Sequence, residues 1–243
     1  IGPVRFSGNL QLGSDQIAVE DLRATVNRKA IDGRFLWVRG TAERKPRVEA
    51  MLRAPDLDID GLLALARAAF PGVEVGSVGD VALAVETGRA TVAGVEARDV
   101  AAKLRLDASG LVIDRLAVAD LAGAAIGASG RIDAPWSAPK GALELSLDAR
   151  SLDGVAAVLA RTLPDIAEPV QELAPQLGPA VLNASIDVGA AQAGGSRVTG
   201  KVSGRAGAFR IDLAADATGD MQAPRAMAIV AKGRLDTADG PAL

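Results

Sequence analysis

Short stretches of alternating apolar and polar residues, punctuated by glycine, fill almost the whole of this chain. Alternation with a period of two marks a strand with one wet and one dry face. A chain built of such stretches must bury its dry faces in a sheet, which leaves few architectures open. Phe6-Ser7-Gly8-Asn9-Leu10-Gln11-Leu12 alternates in this way and runs into the turn signal Gly13-Ser14-Asp15. Ile17 to Val26 is strand-like with a one-residue slip at Asp21, the trace a β-bulge leaves in a sequence. Phe35 to Thr41 and Arg47 to Leu52 read as further strands. Asp58 or Asp60 then caps a helix through Ala69, stopped by Pro71-Gly72.

The pattern comes round again about 95 residues later. Ile17-Ala18-Val19-Glu20-Asp21-Leu22 finds its counterpart in Leu111-Val112-Ile113-Asp114-Arg115-Leu116. The helix opening Leu57-Asp58-Ile59-Asp60-Gly61 finds one in Leu152-Asp153-Gly154. In the second round, strands are expected at 81–85, 90–95, 100–107, 111–119, 124–132 and 143–148. A helix over Asp153 to Thr162 ends before Pro164. A third round offers strands at 183–188, 197–204, 209–213 and 227–235, with Gly194-Gly195 at a hairpin tip. The implied organisation is a β module with a closing helix over 1–72 and a second over 73–163. A proline-rich linker or helix over 164–179 and a third, truncated module over 180–243 follow. Short connections favour an antiparallel meander, wet on one side.

Composition removes several kinds of function. At 49% hydrophobic, the chain has far too much apolar material for disorder. A net charge of −3 with mixed signs offers no basic patch for nucleic acid. Tyrosine is absent and only four Phe and two Trp occur, which argues against immunoglobulin sandwiches and propellers. Without Cys or His there is no disulfide framework, thiol chemistry or ordinary zinc site.

The remaining motifs read as structure. Asp56, Asp58, Asp60 and Gly61 imitate the front of a calcium loop, but Arg67 stands where the bidentate Glu belongs. Acidic residues at a helix start explain them better. Ser137-Ala138-Pro139-Lys140 has S-x-x-K spacing with a proline unsuited to the required helix. Gly127-Ala128-Ser129-Gly130 is one residue short of a nucleophile elbow. Asn183-Ala184-Ser185 is a glycosylation sequon of a kind common by chance. Glu168 and Glu172 flank Pro169 on the linker, where solvent exposure is expected. No catalytic residue, metal site or cofactor is therefore expected, and the chain does not read as an enzyme.

What is left is the apolar face. Its candidate members are Leu83, Val85, Leu104 and Leu106; Leu111, Ile113, Leu116 and Val118; Leu143, Leu145 and Leu147; and Phe209, Ile211 and Leu213. Such a face can line a closed core, the commoner case, or stay open to a ligand.

The order of features from Val81 to Ile132 resembles the repeat module of the AsmA-like envelope proteins of Gram-negative bacteria, which include TamB. The resemblance rests on Gly88-Arg89, Asp99 to Leu106, Ser109-Gly110, Leu111-Val112-Ile113, Leu121-Ala122-Gly123-Ala124 and Gly130-Arg131-Ile132, followed by the Leu-Asp-Gly helix opening. It implies a mainly β fold: an elongated, curved antiparallel β-sheet of repeated modules with short helices, folded into a taco-like groove. It also implies a periplasmic body held to the inner membrane by an N-terminal helix. The implied function is carriage of phospholipids along the groove, supporting outer-membrane assembly. Phospholipid acyl chains would be the ligand, and envelope proteins are candidate partners. The chain starts at Ile1 and stops at Leu243 inside what reads as another module, so it is expected to be a piece of a longer protein. No apolar run reaches the roughly 20 residues needed to span a bilayer, so membrane contact is expected through parts outside this piece. The competing expectation is a non-catalytic β-scaffold or adhesin-like stalk with a closed core.

Overall fold

A computed structural model describes residues 4–26, 29–41, 45–61, 79–134, 139–162, 177–191, 195–219 and 228–237. Residues 62–69 of the first expected helix, most of the proline-rich stretch, and Glu168 and Glu172 lie outside them. The fold is mainly β. Thirteen strands occur among the described residues: β1 (Val4–Leu12), β2 (Gln16–Val26), β3 (Lys29–Val38), β4 (Arg47–Asp58), β5 (Asp80–Val92), β6 (Val95–Leu106), β7 (Gly110–Leu121), β8 (Ala124–Asp133), β9 (Lys140–Ala149), β10 (Ala180–Ala190), β11 (Ser196–Ala206), β12 (Phe209–Gly219) and β13 (Ala228–Thr237). Their order across the sheet is their order in the chain. Helix α1 (Asp153–Thr162) has the bounds read from the sequence.

Two compact units divide the chain inside β7. Unit 1 holds 1–109 and 113–119, and unit 2 holds 110–112 and 120–243. The second sequence module, 73–163, is thus shared between them.

In unit 1, the slip expected at Asp21 is real. Asp21 has φ 52°, and the β1–β2 and β2–β3 ladders both shift register there. A second irregularity crosses β4, β5 and β6 together. Pro55, Gly88 and Asp99 lie between paired neighbours in both ladders without pairing themselves, and Asp99 has φ 48°. On either side of this line the buried residues are three apart instead of two: Ala54 and Leu57, Thr87 and Ala90, Ala97 and Val100. All three strands therefore skip one position in concert and keep the same face inward.

Three expectations about unit 1 need correction. The sequence predicts three strands, at 81–85, 90–95 and 100–107, with a break at Gly88-Arg89; only two form. Gly88 sits inside the ladder, and the chain reverses instead at Ala93-Gly94. Both residues have positive φ, 49° and 68°, the geometry of a type I′ turn. The sheet is also not wholly antiparallel, because β4 and β5 run parallel. A parallel neighbour requires a long crossover, which the stretch 59–79 provides. Finally, β3 begins earlier and β4 ends later than expected.

The acidic run at the end of β4 is divided among three tasks. Asp56 pairs with Lys29 at 2.7 Å. Asp58 accepts a hydrogen bond from the Gly61 N–H at 2.8 Å and caps the helical turn at 59–61. Asp60 accepts from the N–H groups of Ala93 and Gly94, at 2.9 and 2.8 Å, and ties that turn to the β5–β6 hairpin. The three carboxylates do not converge, and no metal-binding group forms among the described residues.

Unit 2 keeps one unbroken register from β8 to β13. Its packed centre is built from alanine: Ala124, Ala149, Ala180 and Ala206 are aligned across four strands, beneath Leu152 and Ala156 at the start of α1. Gly204 in β11 has φ 146°, and a Cβ there would collide with the Val181 carbonyl oxygen. Gly204→Ala is expected to lower stability by about 1–3 kcal/mol in urea unfolding. A wild-type midpoint would show that the strand relaxes without strain.

Candidate functional site

Register decides which side chains share a face. In unit 1, Leu12, Ile17, Trp37, Val48, Val81 and Leu106 stand side by side across six strands. The next row is Leu10, Val19, Phe35, Ala50, Leu83 and Leu104, and the one after runs from Leu22 through Gly33 and Leu52 to Val85 and Ala102. The four expected residues of β5 and β6 therefore lie on one apolar face. Several neighbours were missed as site residues, among them Leu10, Ile17, Val19, Phe35 and Trp37. Their alternation was visible; their pairing partners were not.

The β7 candidates join this pattern through a polar doublet. Asp114 receives Arg105 at 2.7 Å and Lys103 at 3.9 Å, while Arg115 lines a depression together with the charged pair Arg53 and Glu86. Two successive side chains thus project to the polar side. Ile113 before the doublet and Leu116 after it both fall on the apolar side, and alternation carries Val118 with them; Leu111 belongs to unit 2. Glu20-Asp21 occupies the same place in β2.

Unit 2 repeats the arrangement. Ile126, Leu147, Leu182, Gly204 and Ile211 form one row; Ala128, Leu145, Ala184, Val202 and Leu213 form the next; Gly130, Leu143, Ile186, Gly200 and Ala215 form a third. Phe209 continues the buried alanine row. Bulky and small side chains mix along each row, so the face has relief.

Burial differs along the face. Leu147, Leu182 and Ile211 pack with α1, which covers the alanine end. Leu143 and Leu145 are only half-buried, and Leu213 is 39% exposed. In unit 1, Ile59 packs against Ile31, Ala54 and Leu57, while Leu12 is 71% exposed. No large side chain among the described residues is fully buried, and every described strand belongs to one sheet. One layer of strands shields its dry face incompletely.

The opposite face is charged. Arg53 meets Glu86 at 2.9 Å in unit 1, and Arg197 meets Asp216 at 2.6 Å in unit 2. The Arg105 hydrogen bonds hold the Asp114 carboxyl below its usual range, and hydrogen bonds from Arg197 and Thr199 do the same for Asp216. A carboxyl depressed by folding adds stability that is complete above its unfolded pKa and disappears as pH falls through the folded one. The stability difference between wild type and Asp114→Asn or Asp216→Asn should therefore fade below roughly pH 4. Thermal melts from pH 7 to 2.5 test this; a constant gap throughout would rule it out.

Among the described residues, no helix is long and apolar enough to cross a membrane. No family model, curated protein or solved structure matches the chain.

Proposed function

We propose that the apolar face carries phospholipid acyl chains, within a periplasmic protein of the AsmA-like kind anchored in the inner membrane and supporting outer-membrane assembly. The observation that carries this reading is the apolar face in each unit, held in register row after row and left partly exposed. A hydrocarbon tail needs such a surface and little else. An acyl chain with about fifteen methylene groups costs on the order of 12 kcal/mol to expose to water, at about 0.8 kcal/mol each. A face of Leu, Val, Ile and Ala offsets most of that cost without polar readout, and the head group stays in solvent. No catalytic step, metal or cofactor enters the reading.

The rival is a non-catalytic scaffold with a sealed interior. The alanine rows covered by α1 fit it; the exposure of Leu213 and Leu12 does not.

The test is photo-crosslinking. A photoreactive residue at Leu104, Leu106 or Leu145 should capture phospholipid, and one at Ser146 on the polar face should not. Leu104→Asp, Leu106→Asp or Leu145→Asp in the full-length protein should block lipid passage. Equal labelling at both faces, or no lipid adducts at all, would reject the proposal.

A further inference from the structure

The polar face of unit 1 holds an apolar furrow that the lipid reading does not use. Its origin is simple. Strand β5 presents Ala82 and Ala84 to the polar side, whereas its neighbours present long side chains. Glu49 and Met51 stand along β4, and Lys103 and Arg105 along β6. Two alanines between taller walls leave a trough one strand wide. Its volume is about 140 Å³. An apolar cavity of about 150 Å³ accepts a benzene ring, so this trough has room for one large side chain.

The rim has a definite sign. Arg34 pairs in register with Met51 and, among the described residues, makes no ion pair. Lys103 and Arg105 touch Asp114 on their far side, yet their side chains remain 65% and 56% exposed. The one acid at the rim, Glu49, is already paired with Arg47. Three cations thus surround a carbon floor, and Met51 is an exposed, adaptable side chain of the sort common at binding surfaces. A larger depression in the same unit mixes both signs, with Arg53 and Arg115 beside Asp32, Glu86 and Asp99.

We propose that this furrow docks an extended acidic segment of a partner protein, which inserts one leucine- or phenylalanine-sized side chain over Ala82 and Ala84. The anchor would fill the trough while flanking carboxylates meet Arg34, Lys103 and Arg105. An apolar pocket under a charged rim is the usual layout of an interface hot spot. Charge complementarity selects the acidic occupant.

The test uses the whole chain and two fluorescent heptapeptides, Glu-Asp-Glu-Phe-Glu-Asp-Glu and the same peptide with Ser at the centre. Anisotropy should show the Phe peptide binding about tenfold or more tighter than the Ser peptide. Ala84→Trp should fill the trough and weaken the Phe peptide by a similar factor, with circular dichroism checking the fold. Arg34→Glu, at an exposed position, should weaken both peptides and flatten the salt dependence. Equal affinity for the two peptides would mean charge attraction alone and would overturn the proposal. Absence of binding, or unchanged binding to both variants, would overturn it as well.

Discussion

Everything in this protein depends on keeping one face of each strand dry through successive inter-strand pairings. A shift of one residue would turn a strand's leucines into water. Unit 2 meets the requirement in the plainest way, with no register change from β8 to β13. Unit 1 meets it differently, because its strands are irregular. Pro55, Gly88 and Asp99 interrupt the two ladders of β4, β5 and β6 at one level, while β2 takes up its extra residue at Asp21 alone. In both cases the apolar side chains before and after the irregularity keep one face.

How much of this was legible follows the same logic. The bulge in β2 was readable because two polar residues, Glu20 and Asp21, break an otherwise strict alternation. Helix α1 was readable from Asp153 at its start and Pro164 beyond its end. The membership of Leu83, Leu104, Leu145 and Leu213 in apolar faces was readable because alternation is local. Pairing is not local, and it accounts for the failures. Gly88-Arg89 looks like a turn in one dimension, yet Gly88 lies inside the ladder opposite Asp99. The parallel pairing of β4 with β5 depends on where the 59–79 connection returns, which no short window records. Asp60 was read as one of two candidate helix caps, and its actual partners, Ala93 and Gly94, lie more than thirty positions along the chain.

The two sides of the sheet divide the chemistry between them. One side is a field of aliphatic groups without specific recognition, suited to a ligand defined by hydrophobicity alone. The other carries ion pairs of modest individual worth, such as Arg53 with Glu86, which are exposed and screened by salt. Their main effect is to keep that side of the sheet in water. Where alanine replaces these long side chains, at Ala82 and Ala84, the polar side acquires a local exception. Helix α1 in unit 2 and the turn at 59–61 in unit 1 each close part of the dry side of their own unit.

Because strand order in the sheet equals order in the chain, every described strand after β1 pairs with the strand just before it in the chain. Loop closure stays short for nearly all pairings, which keeps the entropic barrier to each addition low. Such a sheet can grow from its N-terminal end, strand by strand, while later residues are still being delivered. It need not wait for a distant segment to complete a core.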